Sequence, residues 1–142
     1  MSKEIRKLPP KERIVEEKLS RVESLSLVLN GRLVSPFSYS CHHVSHCRLL
    51  VSQAGRALHL VKQHQFLDSP EWFGVTTDEY FQVTVTALEE CSILVWHRDK
   101  IRLEIMEDKY LHAVMDHVVG RDVVRKLMQV EWKMEFTFIY CE

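Results

Sequence analysis

Two carboxylates, Asp68 and Glu71, flank the dipeptide Ser69-Pro70. Paired acids near a turn can divide the work of a general acid and a general base. That chemistry needs company, and no Ser/Cys–His–Asp arrangement or glycine-rich phosphate loop accompanies the pair. Asp68 or Ser69 can equally accept backbone N–H groups and cap a turn. On the residues alone both roles stay open.

A second cluster, CHHVSHC at 41–47, brings Cys41, His42, His43, His46 and Cys47 together. Zinc takes cysteine and histidine at short spacings, but structural sites draw ligand pairs from two separated elements. This cluster is a single element in a stretch that breaks the surrounding strand pattern, and it reads as a flexible polar loop. His97, His112 and His117 are scattered and read as surface or half-buried residues. Trp72 and Trp96 read as core aromatics, and Trp72 could also cover a bound base.

Which elements position these residues follows from hydrophobic periodicity. Residues 22–34 alternate, with Leu25, Leu27 and Leu29 on one face and Ser24, Ser26 and Val28 on the other,. Asn30-Gly31 supplies a turn or bulge. Residues 51–59 resemble a hairpin tip and return strand, with Leu58, Leu60 and Phe66 expected to point inward. Pro70 excludes a strand interior around Asp68, leaving a tight turn or the first turn of a short helix. Residues 74–80 read as a mobile loop. FQVTVTA at 81–87 is the strongest strand signal, with Phe81, Val83 and Val85 on one side and Gln82, Thr84 and Thr86 on the other,. Residues 92–96 form another strand.

The period then changes. Asp99 can cap a helix carrying Ile101, Leu103, Ile105 and Met106. Leu111, Val114, Met115 and Val118 continue at helical spacing, Gly120 interrupts, and Val123, Val124, Leu127 and Met128 lie on a further short helix,. Strands first and helices last is the α+β arrangement.

The 142 residues, 46% apolar and 27% charged, suit one folded domain with its own core,. A net charge of -1 argues against a nonspecific nucleic-acid binder,. No apolar run approaches the roughly 18–20 residues that span a bilayer, and no signal peptide is visible. Cys41, Cys47, Cys91 and Cys141 are therefore expected to be reduced,. Residues 1–18, rich in Lys, Glu and Arg around Pro9-Pro10, read as a solvated lead-in.

Four strings resemble the Popeye domain family: LSLVLNGRLV at 25–34, QFLDSPEW at 65–72, FQVTVTA at 81–87 and VGRDVVRKL at 119–127. Their order and spacing match over about residues 19–128, and the strings Asp68-Ser69-Pro70-Glu71 and Phe81-Gln82-Val83-Thr84 are specific. The resemblance implies a cyclic-nucleotide-binding-like β jelly roll followed by C-terminal helices, in a domain spanning 19–129. It implies a non-catalytic sensor that binds cyclic AMP and uses no cofactor beyond that ligand. An interaction and dimerisation domain without ligand is the alternative. It further implies a homo- or hetero-dimer paired through the C-terminal helices, and membrane proteins as partners. The family parent carries three membrane spans ahead of this domain, on the cytoplasmic side of the plasma membrane. Without those spans this chain is expected to be a truncated product or an isolated domain. Residues 35–50 and the tail at 130–142 depart from the family pattern; the first is expected to loop out of the sheet, and the alternating residues 134–140 of the tail are an edge-strand and aggregation hazard if unpaired,.

For the ligand the resemblance implies Asp68, Ser69, Glu71, Trp72, Phe81, Gln82, Val83 and Thr84. Ordinary cyclic-nucleotide domains supply a carboxylate to the ribose 2′-hydroxyl, a role that Asp68 can take. They also supply an arginine to the phosphate, where this chain has Phe81. The phosphate must then be held by Ser69, Gln82, Thr84 and turn N–H groups, without a bidentate guanidinium.

Overall fold

The computed structural model describes residues 3–29, 47–72 and 79–139, and the backbone alone from 131 onward. Among these described residues, seven strands come before two longer helices, with one short helix among the strands. They are β1 (Lys3–Leu8), β2 (Arg13–Val15), β3 (Ser24–Val28), β4 (Arg48–Gln53), β5 (Arg56–Lys62), α1 (Ser69–Trp72), β6 (Thr84–Ala87), β7 (Cys91–His97), α2 (Arg98–Glu107) and α3 (Lys109–Ile139). One sheet runs β1-β7-β3 and the other β2-β6-β4-β5. Every pairing is antiparallel.

Two apolar clusters hold this α+β fold. Leu8, Val15, Val28, Leu49, Val51, Val61, Val85 and Ile93 come from strands of both sheets and fill the space between them. Leu25, Phe66, Ile101, Ile105 and Val119 form a second cluster, where the helices cover the outer face of the first sheet. Strand β3 divides the two. Leu25 and Leu27 belong under the helices, as one expected face, whereas Val28 and the buried Ser26 occupy the other. The Ser24–Ser26–Val28 face is therefore not a solvent face. The edge of β3 is covered in turn by residues 64–67, through His64 N–H to Val28 O at 2.8 Å and Leu67 N–H to Ser26 O at 2.8 Å.

Several expectations are corrected. The lead-in at 1–18 contains β1 and β2, which pair with β7 and β6. Five of the six β1 residues are exposed, and a charged edge strand resists pairing with other chains, so its composition mimics a disordered segment. The stretch 35–50 is not all insertion. β4 begins at Arg48, Leu49 is fully buried and pairs with Val61 and Ala87, while residues 30–46 lie outside the description. His59 and Val61, rather than Leu58 and Leu60, are the buried positions of β5. The register against β4 decides this, because Val61 lies opposite the buried Leu49 and His59 opposite the buried Val51, and consecutive apolar residues in the sequence cannot reveal it,.

The expected strand at 81–87 is regular only from Thr84. Upstream, β4 turns away beyond Ser52, and Phe81 bonds instead to the turn after β2, with its N–H on Ser20 O at 2.9 Å. Asp99 lies inside the first turn of α2; His97 is the N-cap. Gly120 does not interrupt α3, which continues to Ile139. The tail thus enters as helix through residue 139, and not as a strand. Local alternation of aromatic and β-branched residues there is overridden by propagation of an existing helix, which adds one hydrogen bond per residue fixed. Cys47 and Cys91, expected as thiols, form a disulfide between the start of β4 and the start of β7, with Cα atoms 5.1 Å apart. It joins the two sheets, and a separation of 44 residues in sequence carries no sign of that approach.

Candidate functional site

The QFLDSPEW string becomes a turn followed by one turn of helix. Asp68 O accepts the Trp72 N–H at 3.0 Å, so α1 starts immediately after Asp68. Pro70 fits here because a first-turn residue lacks a helical acceptor for its N–H in any case. The expected turn or helix start is confirmed as helix.

The side chains of this turn point into the protein. Asp68 and Ser69 are fully buried and Glu71 nearly so. Asp68 Oδ1 accepts the Ser26 N–H at 2.7 Å, and the Ser24 hydroxyl donates to Oδ2 at 3.5 Å. Ser69 donates its hydroxyl to Asp122 Oδ2 at 2.5 Å and accepts from Lys126 Nζ at 2.7 Å. Arg98, at the start of α2, donates to the Glu71 carbonyl oxygen at 3.0 Å, which satisfies a helix-end acceptor. Trp72 is half-buried in the second cluster, and the Arg102 guanidinium lies 5.3 Å from its ring centroid, within range of a cation–π contact.

Burial governs the electrostatics. Desolvation pushes the Asp68 carboxyl up to about 7, against the lowering effect of the Ser26 N–H and of Lys126. It also raises Glu71. The Lys126 ammonium is lowered by burial, opposed by its neighbour Asp122. Arg98 is lowered by burial and by Arg102.

The second string lies beside the first below the surface. Phe81 is buried with Leu67 in the inter-sheet cluster, and Val83 packs against that cluster. Gln82 is half-exposed and donates to Tyr80 O at 3.3 Å. The Thr84 hydroxyl accepts the Glu17 N–H at 3.1 Å. The expected residues therefore divide into two groups. Asp68, Ser69, Glu71 and Phe81 are buried; Trp72, Gln82, Val83 and Thr84 retain surface. The Asp68 carboxyl is taken up by its bonds to Ser24 and Ser26 of β3.

Sequence reasoning missed Ser26, Arg98, Asp122 and Lys126. The available signal was two charged residues four apart, Asp122 and Lys126, on the same helical face as Leu111, Met115 and Val119. Of the candidate metal ligands, Cys41, His42, His43 and His46 lie outside the described residues, and Cys47 is committed to Cys91. Among the described residues no group of three or more His, Cys, Asp or Glu could hold a metal.

An antiparallel roll with a short helix before β6 and two helices after β7 is the fold of the cyclic-nucleotide-binding domains. A solved candidate cyclic nucleotide-binding protein from Geobacter metallireducens GS-15 superposes with a TM-score of 0.63 at 14% identity, over 88% of this chain and 79% of that one. The c-di-GMP responsive regulator CLP from Xanthomonas campestris gives 0.75 at 9% identity, over 99% of this chain and 61% of that one. The second such domain of a protein kinase A regulatory subunit, solved with Sp-2Cl-cAMPS, gives 0.59 at 10% identity, over 91% and 70%.

No family model matches the chain. Its curated homologues are nevertheless Popeye domain-containing proteins 1, 2 and 3, as the four strings imply. Popeye domain-containing protein 2 of Homo sapiens is 32% identical over 115 residues, 80% of this chain and 27% of the relative. Popeye domain-containing 2 of Danio rerio is 37% identical over 89 residues, 61% of this chain and 24% of the relative. The chain thus spans about a quarter of the length of these relatives.

Proposed function

We propose that this chain is a non-catalytic cyclic AMP sensor module whose ligand lies against α1 and the Gln82–Thr84 stretch. The observation that carries the reading is the position of Asp68-Ser69-Pro70-Glu71. The string opens the short helix that follows the β4–β5 hairpin, with Asp68 just before it, in a fold shared with solved cyclic-nucleotide-binding domains. Trp72 offers a stacking surface for the base. Gln82 and Thr84 offer neutral donors to the phosphate monoanion, and Asp68 ties the start of α1 to β3 or, released from β3, accepts the ribose hydroxyl. The strings at 65–72 and 81–87 contain no arginine. Binding is therefore weaker and less salt-sensitive than in arginine-bearing domains. In a longer relative-like protein the module would sit at the cytoplasmic face of the plasma membrane, although among the described residues no helix is long and apolar enough to cross one.

Isothermal titration of cyclic AMP into the wild-type chain, Thr84→Ala and Gln82→Ala tests this. The expected result is measurable binding that weakens about 10- to 150-fold in each variant, the loss of one hydrogen bond to a charged group. No heat of binding in the wild type at millimolar ligand overturns it.

A second reading, an interaction module, is favoured by one feature. Tyr110, Val114, Val118, Val124, Leu127 and Met128 leave an exposed apolar stripe on α3. Pairing of two chains, identical or related, through α3 would cover it.

A further inference from the structure

The inward face of α3 changes character partway along. Leu111, Met115 and Val119 pack into the second apolar cluster. One turn further the same side of the helix presents Asp122 and Lys126, 7% and 5% exposed, paired at 2.9 Å. Among the described residues, the bonds that this pair makes away from α3 go to Phe66, just before α1, and to Ser69, its first residue. Asp122 Oδ1 accepts the Phe66 N–H at 3.3 Å, and Oδ2 accepts the Ser69 hydroxyl at 2.5 Å. Lys126 donates to the Phe66 carbonyl oxygen and to Ser69 Oγ. An ammonium has three protons to donate, and the three acceptors are Asp122, Phe66 and Ser69. The pair therefore takes both backbone groups of Phe66 together with the Ser69 hydroxyl.

An ionic pair is a poor choice if adhesion is the only need. Burying two charges costs about as much as their attraction returns, and a well-packed apolar pair would serve as well or better. What the ionic pair adds is dependence on geometry. Ser69 Oγ bonds both members, so a displacement of Ser69 disturbs Asp122 and Lys126 together. Charges deprived of partners in a buried setting are strongly unfavourable, so the contact holds or opens as a unit. Asp68 and Glu71 on the same turn, and Arg98 at the far end of α1, complete the charged surroundings. With Asp68 bonded to β3, α1 is joined to the sheet, to α2 and to α3 by polar contacts.

We propose that Asp122 and Lys126 form a polar latch that makes the position of α3 follow the position of the 66–69 turn. Two strings that the family resemblance singles out, at 65–72 and 119–127, are the two halves of this device. Its use as a readout of ligand rests on the functional reading above, whereas the latch itself does not.

Hydrogen–deuterium exchange on the ligand-free chain tests the coupling through a double-mutant cycle. Ser69→Ala in the wild-type background is expected to raise exchange at 119–130 by roughly tenfold while β4 and β7 keep their protection. In the background Asp122→Leu/Lys126→Met, where an apolar pair replaces the charges, the same Ser69→Ala is expected to leave 119–130 unchanged. An equal response of α3 in both backgrounds overturns the latch, as does loss of protection spread evenly over the strands. Because the double background buries no lone charge, the cycle does not depend on a variant with a broken ion pair folding. A second arm adds cyclic AMP, whose binding is measured separately by calorimetry. Failure to bind removes the sensor reading and leaves the cycle to decide the latch. Binding that alters exchange at 119–130 in the wild type but not in the apolar background supports both.

Discussion

The Asp68 carboxylate, with no solvent-exposed surface, accepts the backbone N–H of Ser26 on β3 at 2.7 Å across 42 residues of sequence. This bond ties the turn that begins α1 to the strand separating the two cores. Its energetics depend on the protonation of Asp68. Burial raises the folded-state pKa from 3.8 to about 7, so between these values the folded chain holds a proton that the unfolded chain has released. The stabilisation is complete below about pH 4 and is lost as pH rises through about 7. Asp68 thus acts opposite to an ordinary ion-paired carboxylate. Thermal unfolding from pH 5 to 8 should show a falling melting temperature for the wild type, worth about 1–3 kcal/mol at roughly 1.4 kcal/mol per pKa unit. Asp68→Asn, which keeps an acceptor for Ser26 without a titrating proton, should flatten the slope. An unchanged slope in the variant would exclude Asp68 as its source.

Leu49 pairs with both Val61 and Ala87 and is 0% exposed, so the end of the stretch 35–50 is integral to the roll. Leu49→Ala should cost about 2–5 kcal/mol, the range for emptying a buried leucine site. Urea denaturation measures it. A cost below about 1 kcal/mol would mean that this part of the chain does loop out.

The Cys47–Cys91 bond closes a loop spanning 44 residues of sequence and links the sheets at a fully buried position. Reduction, or Cys91→Ala, should destabilise the chain by about 2–4 kcal/mol. Denaturation midpoints with and without reductant, checked by thiol titration of the unfolded chain, give the value. Equal midpoints together with two free thiols at these positions would show that the bond does not form.

Val124 is 55% exposed on the outward face of α3. Val124→Glu should leave the fold intact and, if the stripe is a dimer interface, convert a dimer to a monomer in sedimentation. A wild-type chain that is already monomeric at micromolar concentration rules the interface out.

Truncation after Val130 should reduce the helical signal in far-UV circular dichroism, because 131–139 continue α3. A gain in soluble yield with no loss of helix would instead restore the expectation of a strand-forming tail.

Periodicity and turn chemistry in the sequence by themselves determined that strands precede helices, that Pro70 lies in a turn or a first helical turn, and the helical spacing of Leu111 and Met115. These are local properties, set by backbone geometry and by which neighbours share a face. The tertiary structure decided whatever depends on distant partners. It made the charged residues of β1 an edge strand because β7 offered hydrogen bonds. It buried both faces of β3 because a second core lies under the helices. It placed Phe66 and Leu67, rather than solvent, along the edge of β3. It turned Asp68 and Ser69 inward, because Ser26, Asp122 and Lys126 wait there, and it carried α3 through Gly120. A carboxylate in a turn looks the same in sequence whether it faces a ligand or a strand; the difference lies in desolvation and in hydrogen-bond partners, which only the packed chain brings together.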